Sequence, residues 1–401
     1  MMRRWMSMFL VCLLIIGTFT ACTTEKSEKI EFLVWGPAED ISEGAWLWEM
    51  CEKFNDEHPE WDITFQFETC GEGDAGNNVS KDPAEAGDVY CMASDQIGAL
   101  VAANALSKLG GQNAENVKRN PANIVSSVTY NGDIYGVPYS NNTWMMFYNK
   151  SIFSEDEVKS LDSMLEKGKV AFPLTTAWYL SSFYVANGGQ LFGEAGTDAA
   201  AGINFGGENG RKVTAYLVDM VKHPNFVNDT SGAGLDGLMN GTIGAMFTGS
   251  WDAAKIQNAL GDDFGVKQLP TVNIGGQAKQ LKSFAGSKCI GVNPNCQHPE
   301  VAVALANFLG SDASQRRHYE LRNIIPCSPA VLESVKEDAV AVAEAKTIAD
   351  TSIVQPLIPE MSNYWGPAET MGNAIYNGDV TAENAAAETE KFNRSLNDSG
   401  L

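Results

Sequence analysis

Short β-rich runs alternate with amphipathic helical patterns along most of this chain, and this alternation constrains the fold more than any other feature. Ile30–Trp35 is a β-rich run, and a helical pattern begins at Ser42 and stops at His58-Pro59. Asp62–Phe67 then alternates apolar and polar residues, and Asp88–Cys91 forms a third β-rich run. Strands separated by helices predict a mainly parallel sheet with helices on both faces.

The same alternation continues through a second unit of the chain. Further strands are predicted near residues 133–138, 143–148, 169–173, 242–247, 264–269 and 281–293. Helices are predicted near residues 176–187, 208–222, 250–260 and 299–309. A chain of 401 residues is too long for one ordinary hydrophobic core. We therefore expect two α/β domains.

The N-terminus has the features of a secretory signal. Two arginines precede an apolar run from Trp5 to Gly17, and small residues then lead to Cys22. A retained membrane span would need about 20 apolar residues, which this run does not reach. We expect residues 1–21 to be the signal peptide and residues 22–29 a polar tether. Cys22 resembles the lipid-attachment cysteine of the bacterial lipobox, where two acyl chains suffice for stable anchoring.

Composition restricts the partners and ligands. The formal net charge is −22, and loss of the signal arginines would make it more negative. Nucleic acids bind basic surfaces, so we expect no nucleic-acid partner. The segment from Asp74 to Glu85 superficially resembles a calcium loop. However, Gly76 stands where a ligand belongs and Val79 where a glycine is required. We therefore expect no metal and no cofactor.

The cysteines show no spacing typical of a metal site or a redox motif. Cys12 belongs to the signal and Cys22 to the expected anchor. Disulfides are permitted outside the cell, and Cys289 with Cys296 is the closest of the remaining pairs, yet nothing in the spacing requires a bridge. We expect free buried thiols at the six other positions, residues 51, 70, 91, 289, 296 and 327.

Several motifs occur together along the chain. They are Asp88-Val89-Tyr90 with Ala93-Ser94-Asp95, Tyr135-Gly136-Val137-Pro138 leading to Phe147-Tyr148-Asn149-Lys150, Asn240–Met246 with Gly249-Ser250-Trp251, and Pro359–Trp365. In combination they resemble the extracellular solute-binding proteins of carbohydrate ABC transporters, of the maltose/maltodextrin type. The resemblance extends over residues 29–397.

The resemblance implies a two-lobe α/β fold of the periplasmic-binding-protein type II, with a mainly parallel sheet flanked by helices in each lobe and a discontinuous hinge. Two pairs of segments would form the N-terminal and C-terminal lobes: residues 30–140 with 287–340, and residues 141–286 with 341–401. Three crossings would form the hinge, near residues 140–142, 285–288 and 335–350. Sugar would bind between the lobes, and closure about the hinge would trap it.

The resemblance also implies a set of carbohydrate-binding residues: Glu39, Asp40, Asp95, Asn142, Trp178, Trp251 and Trp365. The tryptophans fall on positions whose rings stack on sugars, all on the second lobe. Asp95, together with either Glu39 or Asp40, falls near the positions of the family's hydroxyl-binding acids on the first lobe. Asn142 lies at the hinge. Other tryptophans are expected to pack in the core, namely Trp46, Trp48, Trp61 and Trp144.

Some positions depart from the family pattern. Met92 stands where an aromatic residue is common, Gln96 where an arginine is common, and Thr175-Thr176 where an amide and an acid are common. These differences weigh more against maltose itself than against an oligosaccharide.

We therefore expect a monomeric receptor, lipid-anchored on the extracellular face of the cell membrane. It would bind maltodextrins and deliver them to the membrane permease of an ABC importer. A receptor for a different oligosaccharide is the alternative within the same class. A surface-anchored glycoside hydrolase would need two carboxylates flanking a sugar bond, and no such pair stands out among the 50 acidic residues. We recognise no arrangement of a serine or cysteine nucleophile with a histidine and an acid, so we expect that the protein is not an enzyme.

Overall fold

The computed structural model describes residues 29–398. The predicted signal, the predicted lipid-attachment residue Cys22 and the predicted tether lie outside this range, except for Lys29. The strands are, in chain order, β1 Lys29–Gly36, β2 Asp62–Thr69, β3 Val89–Ala93, β4 Lys108–Leu109, β5 Thr129–Tyr130, β6 Asp133–Tyr135, β7 Val137–Asn142, β8 Met145–Asn149, β9 Val170–Phe172, β10 Gln190–Leu191, β11 Ile203–Asn204, β12 Phe226–Asn228, β13 Ala245–Thr248, β14 Phe264–Lys267, β15 Thr271–Ile274, β16 Gln277–Gln280, β17 Ser283–Val292 and β18 Ser352–Val354.

The α-helices alternate with these strands. They are α1 Ala38–Ile41, α2 Trp46–Glu57, α3 Ala75–Lys81, α4 Ile97–Ala102, α5 Gly111–Val117, α6 Ala122–Ser127, α7 Leu161–Lys167, α8 Ala177–Ala186, α9 Gly207–Met220, α10 Ala233–Met239, α11 Ala253–Leu260, α12 Pro299–Leu309, α13 Asp312–Arg322, α14 Pro329–Ser334, α15 Ala339–Asp350, α16 Ser362–Asn377 and α17 Ala385–Ser395.

The first lobe is built on a sheet with the strand order β18-β17-β3-β1-β2, in which β7 also pairs with β17. β1 runs parallel to β2 and to β3, whereas β17 runs antiparallel to β3 and to β7. Alternate side chains of β1 are buried, namely Ile30, Phe32 and Val34. This period of two turns one row of apolar side chains toward the core.

The second lobe is built on a sheet with the strand order β12-β9-β13-β8-β14. β9 runs parallel to both of its neighbours, and β8 runs antiparallel to both of its own. Every residue of β8 is buried. Met146 and Tyr148 enter one apolar cluster, while Met145 and Phe147 enter another. The sheet is therefore covered on both faces, which explains the continuous apolar run of this strand.

The predicted α/β class and the division into two lobes are confirmed. Each sheet combines parallel pairs with antiparallel ones, and the antiparallel pairs are those that β17 makes with β3 and β7 in the first lobe and those that β8 makes in the second. The helices predicted near residues 176–187, 208–222, 250–260 and 299–309 correspond to α8, α9, α11 and α12.

Two of the tryptophans expected in the core occupy it. Trp144 is fully buried and meets Phe172 and Phe247 edge to face, with ring centroids 5.9 and 6.0 Å apart. Trp46 is also fully buried, and its indole N–H donates to the backbone oxygen of Ser314 at 3.0 Å. Trp48 and Trp61 are half-buried.

The lobes are joined mainly through β7 and β17. The hydroxyl of Thr143, just after β7, donates to the carbonyl of Phe284 in β17 at 2.8 Å. Ile325 and Val335 pack in one cluster with Met145 and Phe147 of the second lobe. The chain beyond α13 thus contacts the second lobe before residue 340, and the lobe boundary expected there stays a prediction.

The thiols behave as expected. Among the described residues, all six cysteines are free, and all but the half-buried Cys296 are buried. Residues 29–398 include no helix with both the length and the apolar character needed to cross a membrane.

Candidate ligand-binding cleft

A cavity of about 1150 Å³ lies between the two lobes. The segments after β1 and β3 line it on the first lobe, and α8, the turn after β13 and α16 line it on the second. All the binding residues predicted from the sequence lie along its walls: Glu39, Asp40, Asp95, Asn142, Trp178, Trp251 and Trp365. Small-molecule pockets usually enclose roughly 300–1,000 Å³. The cavity therefore has room for a ligand of several rings.

Three half-buried tryptophans form what we call the aromatic wall: Trp178, Trp251 and Trp365. The rings of the first two lie 6.2 Å apart with an interplanar angle of 30°. The third ring meets Phe284 edge to face at 6.4 Å, which supports it from behind. Indole faces can pack against the C–H faces of sugar rings and bury apolar area there. Each of the three tryptophans lies in the first turn of a helix or helical turn and lines the cavity.

The facing wall contains paired charges, and we call these residues the charged wall: Asp40, Glu72, Lys288, His318 and Arg322. The carboxylate of Asp40 is only 1% exposed and lies 2.7 Å from a guanidinium nitrogen of Arg322. Nε2 of His318 lies 3.3 Å from the same oxygen. Burial lowers the pKa of His318, which favours its neutral form. Asp40 is therefore engaged by its neighbours, whereas Glu39 beside it is exposed.

The second pair of the charged wall is Glu72 with Lys288. Their Oε1 and Nζ atoms are 3.0 Å apart. The hydroxyl of Tyr139 also donates to this carboxylate at 3.0 Å. Neither member of the pair was predicted as a site residue. A lysine inside the mostly buried strand β17, which has no other charged residue, was the available signal, since unpaired lysines are seldom buried. Its partner is distant in sequence, so only the fold identifies the pair.

Asp95 lies between the two walls, in the turn that follows β3. Burial raises the pKa of its carboxyl to about 6, although the nearby amide of Gln355 opposes the shift. The Oε1 atom of Gln355 accepts a hydrogen bond from the indole N–H of Trp178 at 3.0 Å. Gln355, which sequence reasoning missed, therefore orients the indole of Trp178 and lies near Asp95. Asn142, at the end of β7, is half-buried where the walls meet.

The positions that depart from the family pattern occupy different depths. Met92 is fully buried in the core of the first lobe. The side chain of Gln96 lines the cavity and bonds to the backbone of Gly73 and Gly76. Thr176 lines the cavity beside Trp178. Gln96 and Thr176 can thus alter the ligand preference directly, whereas Met92 acts only through packing.

The cavity is acidic overall. Carboxylates outnumber cations on its walls, with Glu39, Asp40, Glu72, Asp74, Asp95 and Glu369 facing Lys288 and Arg322. Such a surface disfavours anionic ligands and suits neutral molecules that donate hydroxyl protons to carboxylates. Residues 29–398 contain no cluster of three or more side chains placed to hold a metal ion.

Comparisons with known proteins agree with this geometry. The family model described as bacterial extracellular solute-binding protein matches residues 49–347. The galactooligosaccharide-binding protein of Bacillus subtilis is 27% identical, with 97% of each chain covered. A maltooligosaccharide ABC transporter solute-binding lipoprotein of Streptococcus pneumoniae is 25% identical over 75% of this chain and 74% of its own.

A solved structure with acarbose is 50% identical in sequence and has a TM-score of 0.90. The match covers 93% of this chain and 100% of that chain. The family predicted from the sequence motifs is thereby confirmed. Because the family model spans well over half of the chain and the fold agrees throughout, this protein belongs to the bacterial extracellular solute-binding protein family.

Proposed function

We propose that this protein is the sugar-binding receptor of an ABC importer and that it binds maltodextrin-class oligosaccharides in the cleft between its lobes. The main support is the placement of Trp178, Trp251 and Trp365 on one wall of a single large cavity, opposite a wall of carboxylates. Flat rings take up the apolar faces of sugar units, and carboxylates accept their hydroxyl protons. Closure of the lobes then excludes water from both kinds of contact.

Relatives support a glucan-type ligand. The S. pneumoniae relative is named for maltooligosaccharides, and the structure at 50% identity contains acarbose. The acidic lining of the present cavity also favours an uncharged oligosaccharide over an acidic one. The seven predicted binding residues keep the roles proposed for them: stacking for the tryptophans, and hydrogen bonding for Glu39, Asp40, Asp95 and Asn142.

The second candidate is a receptor for galacto-oligosaccharides. The B. subtilis relative of that name matches along 97% of both chains, a longer match than the 75% of this chain covered by the maltooligosaccharide relative. The unusual Gln96 and Thr176 on the cavity wall would allow such a change in preference.

Titration calorimetry with matched sugars would decide between the candidates. We expect maltotriose to bind and to change the tryptophan fluorescence, galactotriose to bind at least tenfold more weakly, and trigalacturonic acid not to bind. Preference for galactotriose would replace the first candidate with the second. Binding of neither neutral sugar would refute the receptor for these classes.

The protein is proposed to bind its sugar without cleaving it. Both relatives described above are named as binding proteins. Prolonged incubation with maltotriose, followed by chromatography, should return the sugar intact. Shortened products that disappear in an Asp95→Asn variant would instead support the hydrolase.

Anchoring and delivery are proposed on separate grounds. The lipobox-like Cys22 would attach the monomeric receptor to the extracellular face of the membrane, and the S. pneumoniae relative is named a lipoprotein. The sugar-loaded protein would then dock on a permease. Cys22→Ala should release the protein from the membrane fraction, and Cys296→Ala is the matched control. Unchanged membrane retention of the first variant would refute the anchor.

A further inference from the structure

A buried ion pair lies at the floor of the cleft, where the two lobes meet. Lys288 lies in β17, with Ala93 of β3 paired on one side and Ser140 of β7 on the other. Its ammonium is 3.0 Å from the carboxylate of Glu72, and each side chain is only 14% exposed. Both residues also line the cavity. The lysine is therefore a fixed cation inside the proposed site, located on the strand that joins the lobes.

The position of Glu72 is determined from two directions. Tyr139 donates a hydrogen bond to the carboxylate at 3.0 Å, and Lys288 donates another at the same distance. Burial alone would raise the pKa of Glu72, but the charge of Lys288 and its hydrogen bond lower that pKa below its usual value. The carboxylate is thus ionised, and it holds the ammonium in one place.

Lys288 also contacts the opposite lobe. Its ammonium lies over the ring of Trp251, 5.1 Å from the ring centroid. A cation over an indole face is attracted by the ring's electron density. A lysine has three N–H donors. One N–H donor points to the carboxylate of Glu72 and a second points to the ring of Trp251, so the third can face the cavity.

We propose that Lys288 is a ligand-contacting residue, which donates a hydrogen bond to the sugar unit stacked beside Trp251, and that Glu72 is its positioning residue. This inference rests on the proposed sugar-binding function and assigns a specificity role within the same cleft. The sugar unit at this position must offer a hydroxyl or ring oxygen as acceptor. A unit that has lost that oxygen is disfavoured because the third N–H donor of Lys288 then has no acceptor, and a unit with a positive charge there is repelled by the ammonium.

The test removes the pair without leaving a lone buried charge. Replacement of Lys288 alone would strand the buried Glu72 carboxylate, which is destabilising. The double variant Lys288→Met/Glu72→Gln keeps the shape of both side chains and an acceptor for Tyr139. We expect it to fold with a melting temperature close to that of the parent and to bind maltotriose at least about tenfold more weakly. Lys288→Arg, which retains charge and donors, should stay within about threefold.

The matched control is Lys391→Met, at a lysine whose side chain is 71% exposed and remote from the cleft. It should bind as the parent does. A double variant that binds within threefold of the parent would overturn the proposal. Equal losses of maltotriose affinity in the double variant and in Lys288→Arg would also overturn the proposal, because the retained charge would not rescue a purely structural role.

A second measurement needs no ligand and separates this inference from the proposed function. The double variant Lys288→Met/Glu72→Gln should change the tryptophan emission of the free protein, since the cation over Trp251 is lost. The change should vanish when the same two substitutions are made in a Trp251→Phe background. If the parent protein binds no oligosaccharide, the proposed function fails, and an unchanged emission would separately refute the lysine–indole contact.

Discussion

The two walls of the cleft are stabilised in different ways. The aromatic wall consists of half-buried indoles that line the cavity, whereas the charged wall pairs its carboxylates with cations that are already in place. A half-buried indole costs little to leave in contact with water, but a buried charge is costly unless it is paired. Loss of an aromatic residue should therefore affect binding, and loss of a charged partner should affect folding.

The largest expected effect concerns the charged wall. Arg322→Met leaves the buried carboxylate of Asp40 with only the neutral His318 beside it, so the free energy of unfolding should fall by about 3–5 kcal/mol. Urea denaturation would measure this. The matched control is Arg317→Met on the same helix, whose ion pair with Glu49 is exposed and should contribute less than about 1 kcal/mol. Equal losses in the two variants would contradict the difference between the walls.

The next effect concerns the aromatic wall. Trp251→Ala should weaken maltotriose binding by about 2–3 kcal/mol, or roughly 100-fold, because an aromatic anchor at the centre of a site carries much of the binding energy. The melting temperature should change little. Trp48→Ala is the matched control, since Trp48 is also half-buried but does not line the cavity. Calorimetry would show the proposed site to be misplaced if both variants bound like the parent.

A third prediction concerns the hinge behind both walls. Glu344 of α15 is buried and accepts a hydrogen bond from Asn141 of β7 at 2.8 Å. Burial raises the pKa of this carboxyl from 4.5 to about 7. The folded protein therefore holds a proton that the unfolded chain releases, so stability should fall as pH rises from about 4.5 to 7.

Glu344→Gln removes this proton equilibrium while it preserves an acceptor for Asn141. We expect a gain of about 3 kcal/mol in the free energy of unfolding at pH 8, because the pKa of Glu344 rises from 4.5 to about 7, and almost none at pH 4. Chemical denaturation at the two pH values would measure the gain. A gain of the same size at both would show that the effect does not come from ionisation of Glu344.

The smallest effect concerns Asp95, which lies between the walls. With a pKa of about 6, its carboxylate becomes protonated below that pH and can no longer accept two hydroxyl protons from a sugar. Affinity for maltotriose should then fall by at most about tenfold per pH unit below 6. Asp95→Asn should bind more weakly at neutral pH and lose this dependence. An identical pH profile in the variant would assign the titration to another group.

All three residues of the aromatic wall were predicted from the sequence, but only Asp40 of the charged wall was. Trp251 and Trp365 each stand in a local motif at the start of a helix or helical turn, so their positions could be recognised one at a time, whereas Trp178 was assigned through the resemblance to the family as a whole. Asp95 was also found through a local motif. The local sequence pattern also predicted most strands and helices, because an apolar period of two or 3.6 residues is visible within a short stretch of sequence.

The charged wall could not be predicted in this way. Glu72 and Lys288 are separated by 216 positions, and Trp178 and Gln355 by 177. Nothing in the local pattern says which lysine meets which acid, since every acid is compatible with a solvated surface. The sequence also left open whether Glu39 or Asp40 faces the cleft. The fold shows that both line the cavity, but Asp40 is engaged by Arg322 and Glu39 is exposed.

The sequence by itself therefore determined the α/β class, the family and the two lobes that the family implies, because these depend on local periodicity and on motifs of a few residues. The tertiary structure alone decided that the predicted residues share one cavity, and that a lysine from the strand joining the lobes lies between an acid of one lobe and an indole of the other. The physical reason is that two charges far apart in sequence form a buried pair only where the folded chain brings them close in space.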